Sequence, residues 1–93
     1  MERILRISGR VQGVGFRYWV IRQAAGIGNI SGYALNLADG DVLVLMRGQE
    51  ADLDRLQSAL YKGPLWARVD SVKEEPESKT YFPPLQEGKF RRI

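Results

Sequence analysis

The stretch Gly9-Arg10-Val11-Gln12-Gly13-Val14-Gly15-Phe16-Arg17 holds three glycines in seven positions and an arginine just beyond them. Glycines in a loop let backbone N–H groups converge on one point without Cβ interference. If a helix starts where they end, its first turn adds unpaired N–H donors and a partial positive charge. Arg17 would sit in that first turn and could fold its planar, two-pronged guanidinium over the same pocket. The chemistry this favours is binding of a tetrahedral anion, phosphate above all. The plain alternative is a tight turn that binds nothing.

Two common phosphate motifs fail on spacing. No Gly-Lys-Ser/Thr follows the loop, which excludes a nucleotide P-loop. Gly13-Val14-Gly15 runs into Phe16-Arg17-Tyr18 with no third glycine, so the dinucleotide fingerprint is absent as well.

The residue types the chain lacks narrow the chemistry further. Without cysteine there is no disulfide, thiol nucleophile or thiolate metal site. Without histidine there is no Ser-His-Asp triad, imidazole base or histidine-held metal. Charge is uneven too. Residues 1–38 carry five arginines, no lysine and one acid, whereas residues 39–93 carry nine bases and ten acids. The basic excess therefore falls in the third of the chain that holds the glycine loop.

The elements that must position this loop can be read from periodicity. Arg3 to Ser8 alternates, with Leu5 and Ile7 on one face and Arg6 and Ser8 on the other, the signature of a half-buried strand. From Phe16 the apolar spacing turns helical through Trp19, Val20 and Ala24, and Gly26 and Gly28 are expected to stop that helix. Ile30 to Leu35 and Asp41 to Arg47 read as strands, joined through Asn36-Leu37-Ala38-Asp39-Gly40 with its Asp-Gly turn. Leu53, Leu56 and Leu60 mark a helix over about 50–62, which Gly63-Pro64 terminates. Arg68 to Glu74 gives a weaker strand. Pro76 and Pro83-Pro84 interrupt the tail, and only Lys89 to Ile93 offers a short fifth strand at the edge.

This order is the ferredoxin-like split βαβ, an α+β sandwich (βαββαβ) with both helices on one face of an antiparallel sheet. At 93 residues the chain is expected to form one domain over 1–93. The longest apolar run, Val42 to Met46, is far short of the roughly 20 residues that cross a bilayer. The charged start Met1-Glu2-Arg3 does not resemble a secretion signal.

The glycine loop resembles the signature loop of the acylphosphatases. Gly32-Tyr33-Ala34-Leu35-Asn36-Leu37-Ala38-Asp39-Gly40 is similar to their second motif, and Gly63-Pro64 followed by Ala67-Arg68-Val69-Asp70 to their stretch after the second helix. The likeness covers residues 4 to about 75. It implies hydrolysis of the carboxyl–phosphate bond of small acyl phosphates, without metal, cofactor or covalent intermediate. It also implies catalytic roles for Arg17 and Asn36, with the backbone N–H groups of Val11, Gln12, Gly13, Val14, Gly15 and Phe16 holding the phosphoryl oxygens.

The chemistry agrees with that assignment. A carboxylate is already a good leaving group, so phosphoryl transfer asks mainly for positioning and charge stabilisation. Arg17 and an Asn36-held water suffice. On residue type alone, Arg17 could equally pair with a surface acid and Asn36 serve only as a turn residue.

Three features depart from the family pattern. The link Gly26-Ile27-Gly28-Asn29-Ile30-Ser31 is one residue longer than usual, which could shift the strand register and displace Asn36 from Arg17. Tyr33-Ala34-Leu35 replaces the commoner Trp-Val-basic run, which bears on the acyl pocket. The proline-interrupted tail is the third. The expected partners are a small acyl phosphate and inorganic phosphate, as product and competitive inhibitor. The further expectation is a cytoplasmic monomer that binds neither nucleic acid nor membrane. Two rival readings are a carbamoyl-phosphate-specific relative and a non-catalytic anion- or RNA-binding module of the same fold.

Overall fold

A computed structural model describes residues 1–75, 85–86 and 88–92. Strand β1 (Glu2–Arg10) leads to helix α1 (Phe16–Ile27), then to the hairpin of β2 (Ser31–Asn36) and β3 (Val42–Arg47). Helix α2 (Glu50–Lys62), β4 (Arg68–Glu75) and a short β5 (Phe90–Arg92) complete the order. The sheet runs β4-β1-β3-β2-β5, and the four long strands pair with one another antiparallel.

The alternation in β1 decides which face the helices cover. Leu5 and Ile7 join Ala34, Val42, Val44, Met46 and Val72 in one core cluster with Phe16, Val20 and Ala24 of α1 and Leu53, Leu56 and Leu60 of α2. Both helices therefore lie on the same face, as the split βαβ pattern predicts. Each presents apolar residues at spacings of three and four, the stripe that a helix buries against a sheet.

Two expectations need correction. The sheet is mixed rather than antiparallel, because β5 pairs parallel to β2, with Gly32 opposite Phe90 and Ala34 opposite Arg92. Gly26 does not stop α1. The helix continues to Ile27, and Gly28 ends it at φ 84°, its N–H donating to the Ala24 carbonyl at 2.9 Å. A glycine in the last turn weakens a helix slightly without breaking it. Pro76, Pro83, Pro84 and Ile93 lie outside the described residues.

The longer link between α1 and β2 leaves the register intact. Asn29 takes a left-handed conformation, φ 58°, which asparagine tolerates better than most residues. Pairing then runs without a break from Ser31 opposite Arg47 to Asn36 opposite Val42. Because β1 and β2 are both antiparallel to β3, they run parallel to each other, and β5 follows β2. The C-terminal ends of β1, β2 and β5 thus open at one end of the sheet.

Candidate active site

The glycine loop leaves β1 at a bulge, where the pairing with β4 shifts between Ser8 and Gly9. A Cβ on Gly9 would stand 2.0 Å from the Arg68 carbonyl oxygen, so the close approach of β4 requires glycine there. Gly13 and Gly15 are needed for a different reason. Nothing crowds them, but their φ angles are 73° and 79°, a region that costs other residues free energy. Val11 is buried and anchors the loop, while Phe16 packs into the core and against Trp19 with ring centroids 5.5 Å apart.

Helix α1 begins at Gly15 with no side-chain cap and no acidic residue in its first turn. The first N–H groups of a helix have no partner within it. This helix start borders a pocket of about 130 Å³ lined by Val11, Gly13, Gly15 and Phe16 on the loop side, and by Arg17, Tyr18, Asn36 and Arg92. Asn36 is the last residue of β2 and shares the helix-covered face with Ala34, two positions before it. Its Oδ1 is buried without a hydrogen-bond partner among the described residues. An unsatisfied buried acceptor costs about 1–3 kcal/mol, a cost that a bound water or ligand in the pocket would remove.

Side chains outside the pocket hold its two halves together. Gln12 Nε2 donates to the Leu37 carbonyl at 2.7 Å and to the Asp41 carbonyl at 2.8 Å, tying the loop to the hairpin that follows Asn36. On the face away from the helices, Arg6 donates to Glu75 at 2.6 Å, Asp39 at 2.8 Å and Asp41 at 3.1 Å. Those carboxylates, Glu75 and Asp41 foremost, hold the guanidinium protonated well above its ordinary range. The Asp41 N–H donates to Asp39 at 3.0 Å. That bond, followed by the Arg6 charge, holds the exposed Asp39 carboxyl below its usual range.

The acylphosphatase family model matches residues 3–90. The chain belongs to the acylphosphatase family. An acylphosphatase of Caldanaerobacter subterraneus subsp. tengcongensis is 50% identical over 70 residues, 75% of this chain and 77% of its own. A crystal structure of acylphosphatase from Bacillus subtilis superposes with a TM-score of 0.78 at 30% identity, covering 99% of this chain and 97% of that one. A second likeness, at TM-score 0.77 and 30% identity, is to T. kodakarensis HypF, where this chain matches 12% of a much longer protein.

Of the residues singled out by resemblance to the acylphosphatases, the structure brings Arg17 and Asn36 to one pocket with Val11, Gly13, Gly15 and Phe16. Gln12 and Val14 are not on its wall. The Gln12 side chain serves the hairpin instead. Tyr33 and Ala34 are buried away from the pocket, so their departure from the family pattern does not change its wall. Sequence reasoning missed Tyr18 and Arg92. Tyr18 was legible as the neighbour of Arg17 in the first helical turn. Arg92 depends on how the tail pairs with β2, and the sequence does not specify that pairing.

Proposed function

We propose that the pocket at the start of α1 hydrolyses the carboxyl–phosphate bond of small acyl phosphates by direct attack of water. The backbone N–H groups of residues 11–16 and the Arg17 guanidinium hold the phosphoryl oxygens. Asn36 Oδ1 accepts a hydrogen bond from the attacking water and directs its lone pair at phosphorus. As the new P–O bond forms, the bond from phosphorus to the acyl oxygen breaks and that electron pair leaves with the carboxylate. Both protons of the water go with the phosphate, one of them passing on to solvent near neutral pH, so the products are a carboxylate and inorganic phosphate.

The observation that carries this reading is the unpartnered Asn36 Oδ1 in the wall of the same pocket as Arg17. A lone acceptor suits a water that must be oriented, and the glycine loop suits an anion. No strong acid is required, because the leaving group is stable as a carboxylate. Within this reading the enzyme needs no metal, and inorganic phosphate competes with substrate.

The test is release of phosphate from benzoyl phosphate by the purified chain with a chelator present. Rapid, chelator-resistant release is expected. Asn36→Ala should lower kcat by about 10²-fold or more, the scale of a misplaced nucleophile, with inhibition by inorganic phosphate little changed. If the substitution weakens phosphate inhibition as much as it slows turnover, Asn36 holds the phosphoryl group rather than the water. An inactive but folded wild-type chain would overturn the whole reading.

A further inference from the structure

The fifth strand brings a second arginine to the pocket. In the parallel pairing of β5 with β2, Phe90 lies opposite Gly32 and Arg92 opposite Ala34. Alternate residues of a strand share a face. Phe90 packs against the helix-side core, so Arg92 is on that face too, at the end of β5 that lies alongside the end of β2. Neighbouring strands are about 4.8 Å apart, which brings Arg92 into the pocket wall with Asn36 and Arg17. Arg91 faces the other way, and its guanidinium donates to Gln86 at 2.6 Å.

The charge around Arg92 differs from that around four of the other strand arginines. Arg3, Arg6, Arg47 and Arg68 are each ion-paired to at least one carboxylate. Arg92 is paired to none of the described carboxylates. Among the described residues, the pocket wall holds two guanidinium groups and no carboxylate. At about 130 Å³ the pocket is also well below the roughly 300 Å³ at which sites for ordinary small ligands begin. Such a volume suits a phosphoryl group and a water, leaving the acyl chain outside. A cation in this wall therefore faces the phosphoryl group.

We propose that Arg92 is a second guanidinium ligand of the phosphoryl group, reaching it from the sheet edge while Arg17 reaches it from α1. This rests on the reading that the pocket holds the phosphoryl group of an acyl phosphate. Because Arg92 is exposed, its contribution falls as salt screens it.

The test compares Arg92→Gln and Arg92→Lys with Arg91→Gln, which removes the same charge one residue away on the opposite face. Arg92→Gln should weaken inhibition by inorganic phosphate and raise KM for benzoyl phosphate, each about 10-fold at low salt, on the scale of one charged hydrogen bond. The loss should shrink in about 0.5 M salt. Arg92→Lys should recover part of both. Arg91→Gln should match wild type. The proposal is overturned if Arg92→Gln and Arg91→Gln behave alike. It is also overturned if Arg92→Gln spares phosphate inhibition and slows only an acyl phosphate carrying its own carboxylate, such as succinyl phosphate. Unchanged unfolding midpoints for the variants would exclude loss of β5 as the cause. Failure of the underlying reading is recognised separately, because the wild type would then be neither inhibited by phosphate nor active on benzoyl phosphate.

Discussion

The two helices of this chain start in opposite ways. Helix α2 opens with Glu50 and Asp52 in its first turn, so its own carboxylates balance the positive end of the helix dipole. Helix α1 opens at a left-handed glycine with an arginine in its first turn and no acid. A second contrast concerns the arginines. Arg6 is met by three carboxylates, while the described residues of the wall at the start of α1 include Arg17 and Arg92 and no carboxylate. Around Arg6, on the face away from the helices, the chain supplies the counter-charge itself. At the start of α1 positive groups accumulate around a pocket, the arrangement that an anionic substrate completes.

That contrast can be broken most severely at Arg17. Arg17→Ala should abolish detectable phosphate binding and cut turnover by about 10²–10³-fold, the usual loss for one preorganised donor, as read by steady-state hydrolysis of benzoyl phosphate. Near-normal kinetics would make the pocket a structural turn.

Gln12→Ala removes the two bonds that tie the loop to the hairpin. Chemical denaturation should register a loss of about 1–3 kcal/mol, the sum of two hydrogen bonds, with each carbonyl keeping a backbone donor. Turnover should fall as well, since Asn36 is then no longer held against the loop.

Tyr18→Glu sharpens the comparison by giving α1 the acid that α2 already has. Tyr18 is exposed, so the helix should gain about 0.3–1 kcal/mol from its dipole. Phosphate inhibition should nevertheless weaken several-fold, because the new carboxylate borders the pocket. Stability and binding would move in opposite directions. The smallest effect belongs to α2. Glu50→Gln with Asp52→Asn should cost about 0.3–1 kcal/mol of stability and leave kcat/KM for benzoyl phosphate unchanged.

What was legible in the sequence follows from how local each feature is. The glycine loop, the start of α1 at Phe16 and the leucine stripe of α2 depend on residues a few positions apart, and each is found where its spacing places it. The Asp-Gly turn put Asn36 just past the end of the strand, and it is in fact the last residue of β2. The bulge at Ser8 and Gly9 was not legible. It answers to the approach of Arg68, a residue distant in the chain. The link before β2 suggested a shifted register, but the hairpin pairs without a break from Ser31 to Asn36, just after Asn29 in its left-handed conformation. Arg92 was the least legible. Its place in the pocket depends on a three-residue strand pairing parallel to β2, and Phe90-Arg91-Arg92 shows no clear alternation of polarity that would announce it.

The claim that the start of α1 is an anion site can be tested residue by residue. The most direct measurement is titration of the ¹⁵N-labelled protein with inorganic phosphate, following the backbone amides by nuclear magnetic resonance. Saturable shifts should concentrate in the amides of residues 11–17 and in the Asn36 side-chain amide, with those of residues 50–53 unmoved. Equal shifts at both helix starts, or none at residues 11–17, would contradict the account.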